Sequence, residues 1–362
     1  MTPLPTPAAS RLLRAPPFPG LANSMYMFSP PPEVDAPTGD TRTALFRSVS
    51  NARVGGSYWS EPIAPLAIDM AIRPRSASEA AELRARFGAE KTICIGHPHA
   101  SPLRTAALDY GADIDPWAVL SQTGKLVAHG DDEWVALATI AGIHVQVLSP
   151  GRYGEPGDDG ETLEYRAAMA LAEPMRDPFS DGWLEPAKAI ELLADWRRVI
   201  DANRGTAGQT IVAACGISWW KREEIRRFLW VPGEPLKIAR TSAGALAVAE
   251  ARGGALAVWP SRISKSLLAN AEKRGVPIVR VEDGFVRSVG LGSNLVPPSS
   301  VIVDRRGIHF DPGHPSDLET ILQNEEFSHD LIERARLLRK TIVDTGISKY
   351  ARAAKRMAAQ VI

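Results

Sequence analysis

The run 281–292, VEDGFVRSVGLG, concentrates residues that could do chemistry. Two adjacent acids, Glu282 and Asp283, follow an apolar run, and Arg287 comes four residues after the second acid. A carboxyl group held close to apolar neighbours has its proton affinity raised and can serve as a general acid or base. An arginine can bind an anionic ligand through two parallel hydrogen bonds. A structural alternative stays open, in which Glu282 pairs with Arg287 and the glycines only form a turn.

The glycines of this run do not complete a dinucleotide-binding fingerprint. Gly290 and Gly292 could begin a G-x-G-x-x-G motif, but Leu295 stands where the third glycine is required. The sequence therefore disfavours a nicotinamide-dependent dehydrogenase.

A predicted parallel strand positions the two acids. PIVRVEDG, 277–284, is an apolar run that leads directly into them, and open α/β sheets bind ligands beyond the carboxyl ends of such strands. We therefore expect the acids in a loop at that edge. The next run, SSVIVDRRGIHFD at 299–311, predicts a β-hairpin of its own with Arg306 and Gly307 near the turn.

Strands and helices alternate in two stretches, 75–150 and 210–310. This alternation predicts an α/β fold of two Rossmann-like halves with parallel sheets. Helices predicted at about 164–173 and 184–203 join the halves. In the second half a predicted helix ends at Gly275, a residue that suits a left-handed C-cap.

The N-terminus is rich in proline and serine, which predicts a disordered leader over 1–44. We expect two domains after it, at 45–205 and 206–362. No apolar run reaches the roughly 18 residues that indicate a membrane-spanning helix, so we expect none.

Composition excludes some functions. Lys+Arg and Asp+Glu number 42 each, so the formal net charge is zero, and a basic nucleic-acid-binding protein is not expected. The two cysteines, Cys94 and Cys215, lie in apolar runs and are interpreted as buried thiols of a reducing compartment. Without a CxxC pair, a structural zinc site has no support. We expect neither a metal nor a cofactor.

Several motifs occur together and in order. The run VEDGFVRSVGLGSNLVPPSSVIVDRRGIHFDPGHPSDLE, at 281–319, resembles the signature of the capsular polysaccharide β-Kdo transferases of Gram-negative bacteria. GISWWKREEIRRFL resembles the G-x-S-x-W-K-R helix start of that family, and GISKY resembles its S-K-Y-N run, with Ala351 where asparagine is usual. This resemblance covers about 210–355. A weaker one covers 90–200, through GHPHASP, DDEWVALATIAGIHV and RDPFSDGWLEPAKAIELLADWRR.

The resemblance implies a GT-B glycosyltransferase, with a donor-half-like domain at 45–205 and an acceptor-half-like domain at 206–362. It implies CMP-β-Kdo as donor substrate, retention of anomeric configuration, and a lysophospholipid or a growing Kdo chain as acceptor. The carboxylates Glu282 and Asp283 would be catalytic, with Glu282 the acid/base. Substrate contacts would come from Arg287, Ser288, Gly290, Gly292, His97 and Lys349, with His97 at the donor phosphate.

The order of the halves departs from the family. Family modules place the acceptor half first, whereas this chain resembles the closing half of one module followed by the opening half of the next, so the module order is permuted or incomplete. The donor-side acid expected after S-K-Y-N is not found, and retention by double displacement needs two carboxyl groups. Three hypotheses therefore stay open. The first is an enzyme, in which the two halves fold onto each other in reversed order or a partner chain supplies the missing domain. The second is a non-catalytic protein of capsule assembly or export, and the third is an unrelated sugar- or nucleotide-binding α/β protein.

The C-terminal segment KYARAAKRMAAQ is basic and amphipathic. It is interpreted either as a solvated helix face or as a surface for anionic lipid, and Lys349 and Arg352 would then contact the lipid. The expected location is cytoplasmic, with peripheral contact at the inner membrane as the alternative.

Overall fold

A computed structural model describes residues 11–19, 35–88, 90–96, 108–180, 182–287 and 295–347. The chain divides into two compact units, Met1–Val199 (unit 1) and Ile200–Ile362 (unit 2). The division falls within a long helix, Pro186–Arg204. Each unit contains its own five-stranded sheet. The predicted α/β class with two parallel-sheet halves is confirmed.

Unit 1 is built on a fully parallel sheet with the strand order β3-β2-β1-β4-β5. The strands are β1 (Met70–Ile72), β2 (Thr92–Ile95), β3 (Asp109–Tyr110), β4 (Lys125–Ala128) and β5 (His144–Val147), with a separate pair β6 (Met175–Arg176) and β7 (Trp183–Leu184). The helices are α1 (Gly39–Ala52), α2 (Ala77–Phe87), α3 (Pro116–Leu120), α4 (Glu133–Ile140), α5 (Gly160–Ala172) and α6 (Pro186–Arg204).

The helices around this sheet begin at residues that suit an N-cap. The Ser76 hydroxyl accepts a hydrogen bond from the backbone N–H of Glu79 at the start of α2, and the Asp132 carboxylate does the same for Trp134 in α4. Such caps satisfy N–H groups that the first turn leaves without partners. Six of the eight residues of α4 are buried, so this helix is packed on nearly all sides.

Part of the predicted disordered leader is ordered, so the prediction of disorder over 1–44 was wrong for 11–19 and 35–44. Leu12 and Leu13 are 0% and 1% exposed within the core of unit 1. Arg14 forms an ion pair with Glu133 of α4 at 2.5 Å. The burial of these two leucines stabilises the segment. The proline content, on which the prediction of disorder was based, does not show this contribution.

Unit 2 is built on a sheet with the order β12-β11-β10-β8-β9, parallel except for its β11–β12 pair. The strands are β8 (Ile211–Cys215), β9 (Lys237–Ile238), β10 (Ala255–Val258), β11 (Ile278–Asp283) and β12 (Val301–Asp304). The helices are α7 (Arg222–Phe228), α8 (Ser242–Ala251), α9 (Lys265–Lys273), α10 (Asp317–Asn324) and α11 (His329–Thr345), with 3-10 turns at Trp219–Lys221 and Pro260–Arg262.

The hairpin predicted within 299–311 was wrong. β12 pairs with β11 instead, in a register that places Asp283 opposite Val301 and Arg280 opposite Asp304. After β12 the side chain of Asp304 holds the backbone that leads to α10. Its carboxylate accepts hydrogen bonds from the backbone N–H groups of Arg306 and Gly307, and from that of Asp317 at the start of α10.

The last two helices of unit 2 are well capped but exposed. Ser316 and Glu319 form a capping box at the start of α10. Apolar side chains of α11 such as Leu331, Leu338 and Val343 are 48%, 58% and 72% exposed. None of the helices in the described part of the chain has the length and apolar character needed to cross a membrane.

Candidate functional site

Glu282 and Asp283 lie within a strand rather than in the loop that follows it. The parallel pairing of β11 with β10 ends at Arg280. Strand β11 nevertheless continues to Asp283, because β12 pairs with it there. Successive side chains of a strand point to opposite faces of the sheet. The strand therefore directs the two acids to opposite faces of the sheet.

Asp283 is held by two cations on the face of the sheet that carries Val279 and Val281. Its Oδ1 lies 3.0 Å from the Lys221 Nζ, and its Oδ2 accepts a 2.8 Å hydrogen bond from the Arg287 Nε. The side chains of Lys221, Arg287 and Asp283 are 9%, 3% and 14% exposed. Charge-assisted hydrogen bonds in a buried setting are the strong ones, so this cluster fixes the conformation of all three side chains.

Two indole rings surround Lys221. Its Nζ lies 3.8 Å from the centre of the Trp259 ring and 5.1 Å from that of Trp220, distances at which a cation and an aromatic face attract each other. Burial lowers the pKa of the Lys221 ammonium, and the hydrogen bond and charge of Asp283 oppose that shift. The ammonium is thus stabilised by one carboxylate and two aromatic faces in place of water.

Arg287 connects the cluster to the loop behind it. Its Nη2 donates a hydrogen bond to the carbonyl of Val296 at 2.8 Å. The start of the same loop is tightly packed, because a Cβ on Gly284 would lie 2.0 Å from the Ser300 Oγ. A side chain at position 284 would therefore collide with Ser300, the residue that precedes β12.

Glu282 is in a different position from its neighbour. Its Oε1 accepts a hydrogen bond from the backbone N–H of Asp283 at 3.0 Å, and no cation of the described residues lies within ion-pair distance of its carboxylate. The pairing of Glu282 with Arg287, considered from the sequence, is not formed, since Asp283 takes that place. Of the two acids, only Asp283 forms an ion pair with a described residue.

Five of the predicted substrate-contacting residues lie outside the described residues: Ser288, Gly290, Gly292, His97 and Lys349. The structure brings the other three predicted residues, Glu282, Asp283 and Arg287, to one edge of unit 2. Their roles in binding or catalysis stay predictions.

Sequence reasoning did not single out Lys221 or Trp259 as part of the site. Lys221 lies 62 positions before Asp283, so no local pattern joins them. A signal was present in GISWWK, where a buried strand is followed by two tryptophans and a lysine. Because β8 and β11 are parallel strands of one sheet, the residues that follow them meet at the same edge.

At the edge of the unit 1 sheet where the parallel strands end, charged side chains pair with one another. Arg73 follows β1 and Asp132 follows β4, and these are neighbouring strands. The Arg73 Nε lies 2.8 Å from the Asp132 Oδ2, with both side chains almost fully buried at 3% and 2% exposure. The guanidinium of Arg73 also lies 4.4 Å from the centre of the Trp134 ring. The N-terminus of α4, a position that suits an anion, is thus occupied by a carboxylate of the chain itself.

Two further pairs surround this ion pair. The His129 ring accepts or donates hydrogen bonds at both nitrogens, to Ser149 and to Glu79, each at 2.9 Å. Arg75 and Asp131 form a more exposed pair at 2.5 Å. Among the described residues of this edge, each of these charged groups therefore has a partner within the unit.

The predicted resemblance to a capsule polysaccharide family is confirmed by a match to a family model. Residues 254–360 match the family described as "Capsule polysaccharide biosynthesis protein". The chain is 37% identical over 161 residues to the "Capsule polysaccharide modification protein LipA" of Neisseria meningitidis, which corresponds to 44% of this chain and 22% of that protein. It is 36% identical over 148 residues to the "Lipopolysaccharide-processing protein LpsZ" of Rhizobium meliloti, or 39% of this chain and 33% of that protein.

Solved structures also show partial similarity. A Thermosulfurimonas dismutans structure titled "KpsC, beta Kdo 2,4 transferase" matches with a TM-score of 0.32 and 27% identity, over 42% of this chain and 46% of that chain. A second, titled "KpsC, beta Kdo 2,7 transferase", matches with a TM-score of 0.28 and 30% identity, over 36% and 42%. The chain therefore spans less than half the length of each of these proteins.

Proposed function

We propose that the protein takes part in capsule polysaccharide biosynthesis as a retaining glycosyltransferase of GT-B type. It would transfer Kdo from CMP-Kdo to a lysophospholipid or to a growing Kdo chain. The observation that carries the proposal is the different state of the two acids: Asp283 is bound by two buried cations, whereas Glu282 has no ion pair among the described residues. The match of residues 254–360 to the capsule family supports the general role.

In this proposal Glu282 handles the proton of the acceptor. In the first step a second carboxylate forms a bond to the anomeric carbon of Kdo while the bond to CMP breaks and CMP leaves. In the second step the acceptor oxygen forms the new bond to the anomeric carbon, the bond to that carboxylate breaks, and the acceptor hydrogen passes to the Glu282 carboxylate. Proton transfer by a positioned side chain contributes about 10²- to 10⁴-fold to a rate. A carboxylate already neutralised by a buried cation would be a weak base, which is why Glu282 suits this role and Asp283 does not.

Asp283 acts as a positioning residue. Its two oxygens hold the Lys221 ammonium and the Arg287 guanidinium at 3.0 and 2.8 Å, so it fixes the end of β11 and the loop after it. The charge of Glu282 also acts on the Lys221 ammonium, so the two acids balance the charges of the two cations at this edge.

The proposal needs a second carboxyl group, because retention by double displacement uses two. We assign this group, and the rest of the donor site, to a partner chain that carries the donor half. This assignment follows from the departure of the chain from the module order of the family.

The experiment measures release of CMP from CMP-Kdo by the purified protein, alone and together with a chain carrying the donor half. We expect Glu282→Gln to lower the rate by about 10²-fold or more. Glu272→Gln, at an exposed position on α9, is the matched control and should leave the rate unchanged. Absence of CMP release in both settings, or undiminished release by Glu282→Gln, would contradict the proposal.

One observation favours a second function, a non-catalytic protein of capsule assembly or export. At the edge of unit 1 the Asp132 carboxylate occupies the N-terminus of α4 and pairs with Arg73 at 2.8 Å, where a donor phosphate would otherwise be attracted. Under this alternative the protein would bind acceptor saccharide but would not release CMP with any donor-half chain.

A further inference from the structure

Helix α11 carries an apolar stripe that no residue in the described part of the chain covers. Leu331, Ala335, Leu338 and Ile342 follow one another at spacings of four, three and four residues, so they lie on one face of the helix. Leu331 and Leu338 are 48% and 58% exposed, and none of the four is buried. Apolar side chains at helical spacing normally pack against another element. The stripe therefore indicates a surface that a partner covers.

The spacing of the stripe favours a second helix as that partner. Alternating spacings of four and three residues are those of the a and d positions of a coiled-coil heptad, and a stripe of a and d positions is the narrow seam of a coiled coil. A helix that lies on a lipid surface has a strongly basic polar face instead. The polar face of α11 mixes both signs of charge in two ion pairs, Arg336–Glu333 and Lys340–Asp344.

The charges beside the seam select the orientation of a pair formed with a second copy of α11. Arg334 and Arg339 border the seam on its two sides, and neither forms an ion pair with a described residue. A parallel pair would bring Arg334 of one copy beside Arg339 of the other, because flanking positions five residues apart meet in that arrangement. Like charges in contact are destabilising. The parallel orientation is therefore disfavoured.

The antiparallel orientation separates these charges. It places Arg339 of one copy beside Ile332 of the other, where the alkyl part of the arginine can pack on the isoleucine. Arg334 lies beside Thr341 of the second copy, so that no arginine meets another. The opposed helix dipoles of an antiparallel pair also attract each other.

The seam is self-complementary in this orientation. When the two helices cross between Arg336 and Leu337, Leu331 of each copy lies opposite Ile342 of the other, and Ala335 lies opposite Leu338. Each a position thus meets a d position, and the small alanine leaves room for the leucine. A second copy therefore supplies the matching surface through a two-fold axis, as in most homodimers.

We propose that α11 is a dimerisation helix, which pairs through this seam in antiparallel orientation with α11 of a second copy. A standard interface uses about 20–30 residues on each side, and one face of a 17-residue helix supplies fewer. The dimer is therefore reversible, with a dissociation constant on the order of micromolar. The inference does not depend on the proposed transfer reaction, because no residue of the seam belongs to the candidate site.

The test measures the molar mass of the whole protein by sedimentation equilibrium between about 1 and about 100 μM, a range that brackets micromolar affinity. Leu338→Asp places a charge in the seam and should weaken dimerisation by about tenfold or more. Leu337→Asp is the matched control, because Leu337 is 57% exposed and Leu338 is 58% exposed. The control side chain lies about 100° further round the helix, outside the seam, and should leave the dimer unchanged.

A second measurement tests the orientation by disulfide formation between introduced cysteines. The native Cys94 and Cys215 are buried and should not react. A mixture of Leu331→Cys and Ile342→Cys should cross-link, because these positions are opposite each other in the antiparallel pair. Leu331→Cys alone should not, since its two copies would be 11 residues apart along the helix, about 16 Å, whereas a disulfide needs Cα atoms within about 7 Å.

Several results would overturn the inference. They are a monomer at every concentration, equal dimerisation by Leu338→Asp and Leu337→Asp, and cross-linking of Leu331→Cys with itself. Cosedimentation of a monomeric protein with anionic vesicles, lost in Leu338→Asp only, would do the same by making lipid the occupant of the seam. Circular dichroism checks that both aspartate variants fold, and Ile342→Asp replaces Leu338→Asp if that variant does not.

Discussion

In both units, charged side chains lie at the sheet edge where the parallel strands end, but these charges are paired differently in the two units. In unit 1, Arg73 and Asp132 follow neighbouring strands and neutralise each other in a buried pair at 2.8 Å. In unit 2, Asp283 is paired, but Glu282 forms no ion pair with a described residue, and Trp219 is 73% exposed. The charges of the first edge are thus paired within unit 1, whereas at the second edge one acid has no ion pair among the described residues.

The difference shows that two sheets of the same class can carry different charge arrangements at their loop edges. Open α/β sheets place loops at the same edge in both cases, but the side chains decide whether the charges are satisfied internally. A buried ion pair costs much desolvation and contributes little net stability when intact, yet it is strongly destabilising when one partner is removed. Stability and function should therefore respond differently to substitutions at the two edges.

The largest expected effect is at the edge of unit 1. Asp132→Ala should lower the free energy of unfolding by about 3–5 kcal/mol, because it leaves Arg73 buried without its partner and removes the cap of α4. Denaturant unfolding measures this change. Asp131→Ala is the control, since its pair with Arg75 is half exposed and should contribute at most about 1 kcal/mol. Equal effects of the two substitutions would refute the contrast between buried and exposed pairs.

Asp283→Asn should have the next largest effect on stability. It removes the negative charge shared by Lys221 and Arg287 while keeping the shape of the side chain, so we expect a loss of about 1–3 kcal/mol. The same variant should weaken capture of an acidic saccharide, because the loop after β11 loses its anchor. A variant as stable as the unchanged protein would show that the cluster is not coupled to folding.

The free energy of unfolding should depend on pH through the lowered pKa of Lys221. Burial lowers the pKa of its ammonium below the unfolded value of 10.5, so the unfolded state binds more protons between the two pKa values. Stability that depends on this group therefore rises with pH across that window, and it is lowest once the pH is below the folded pKa. The difference in unfolding free energy between the unchanged protein and Lys221→Met should increase as pH approaches 10.5. A difference independent of pH would contradict this assignment.

Glu282→Gln should have the smallest effect on stability, within about 0.5 kcal/mol as for other substitutions without buried partners. A thermal unfolding midpoint close to that of the unchanged protein would show that Glu282, unlike Asp283, is not needed for stability. A loss as large as that of Asp283→Asn would mean that Glu282 is also structural, which would weaken its assignment as the proton-handling group.

Much of the secondary structure could be predicted from the sequence. Runs such as TIVAACG and ALAVWP are short, apolar and bounded by turn residues, and they form β8 and β10. Gly275 follows the helix α9 with a φ of +65°, as the C-cap prediction requires. Cys94 and Cys215 are buried free thiols, as expected. Strand β1 was not predicted, since it has only three residues and its pairing with two neighbours defines it.

The sequence by itself determined the alternation of strands and helices and the run of motifs that relates 210–355 to a capsule family. Local spacing is sufficient for these, because propensity and periodicity act between residues close in the chain. Only the tertiary structure decided which acid is paired. Pairing with β12 extends β11 to Asp283. Because side chains alternate along a strand, Glu282 and Asp283 point to opposite faces of the sheet. Lys221, the partner of Asp283, lies 62 residues away in the sequence. Such a contact is set by the packing of the whole sheet, which no local pattern encodes.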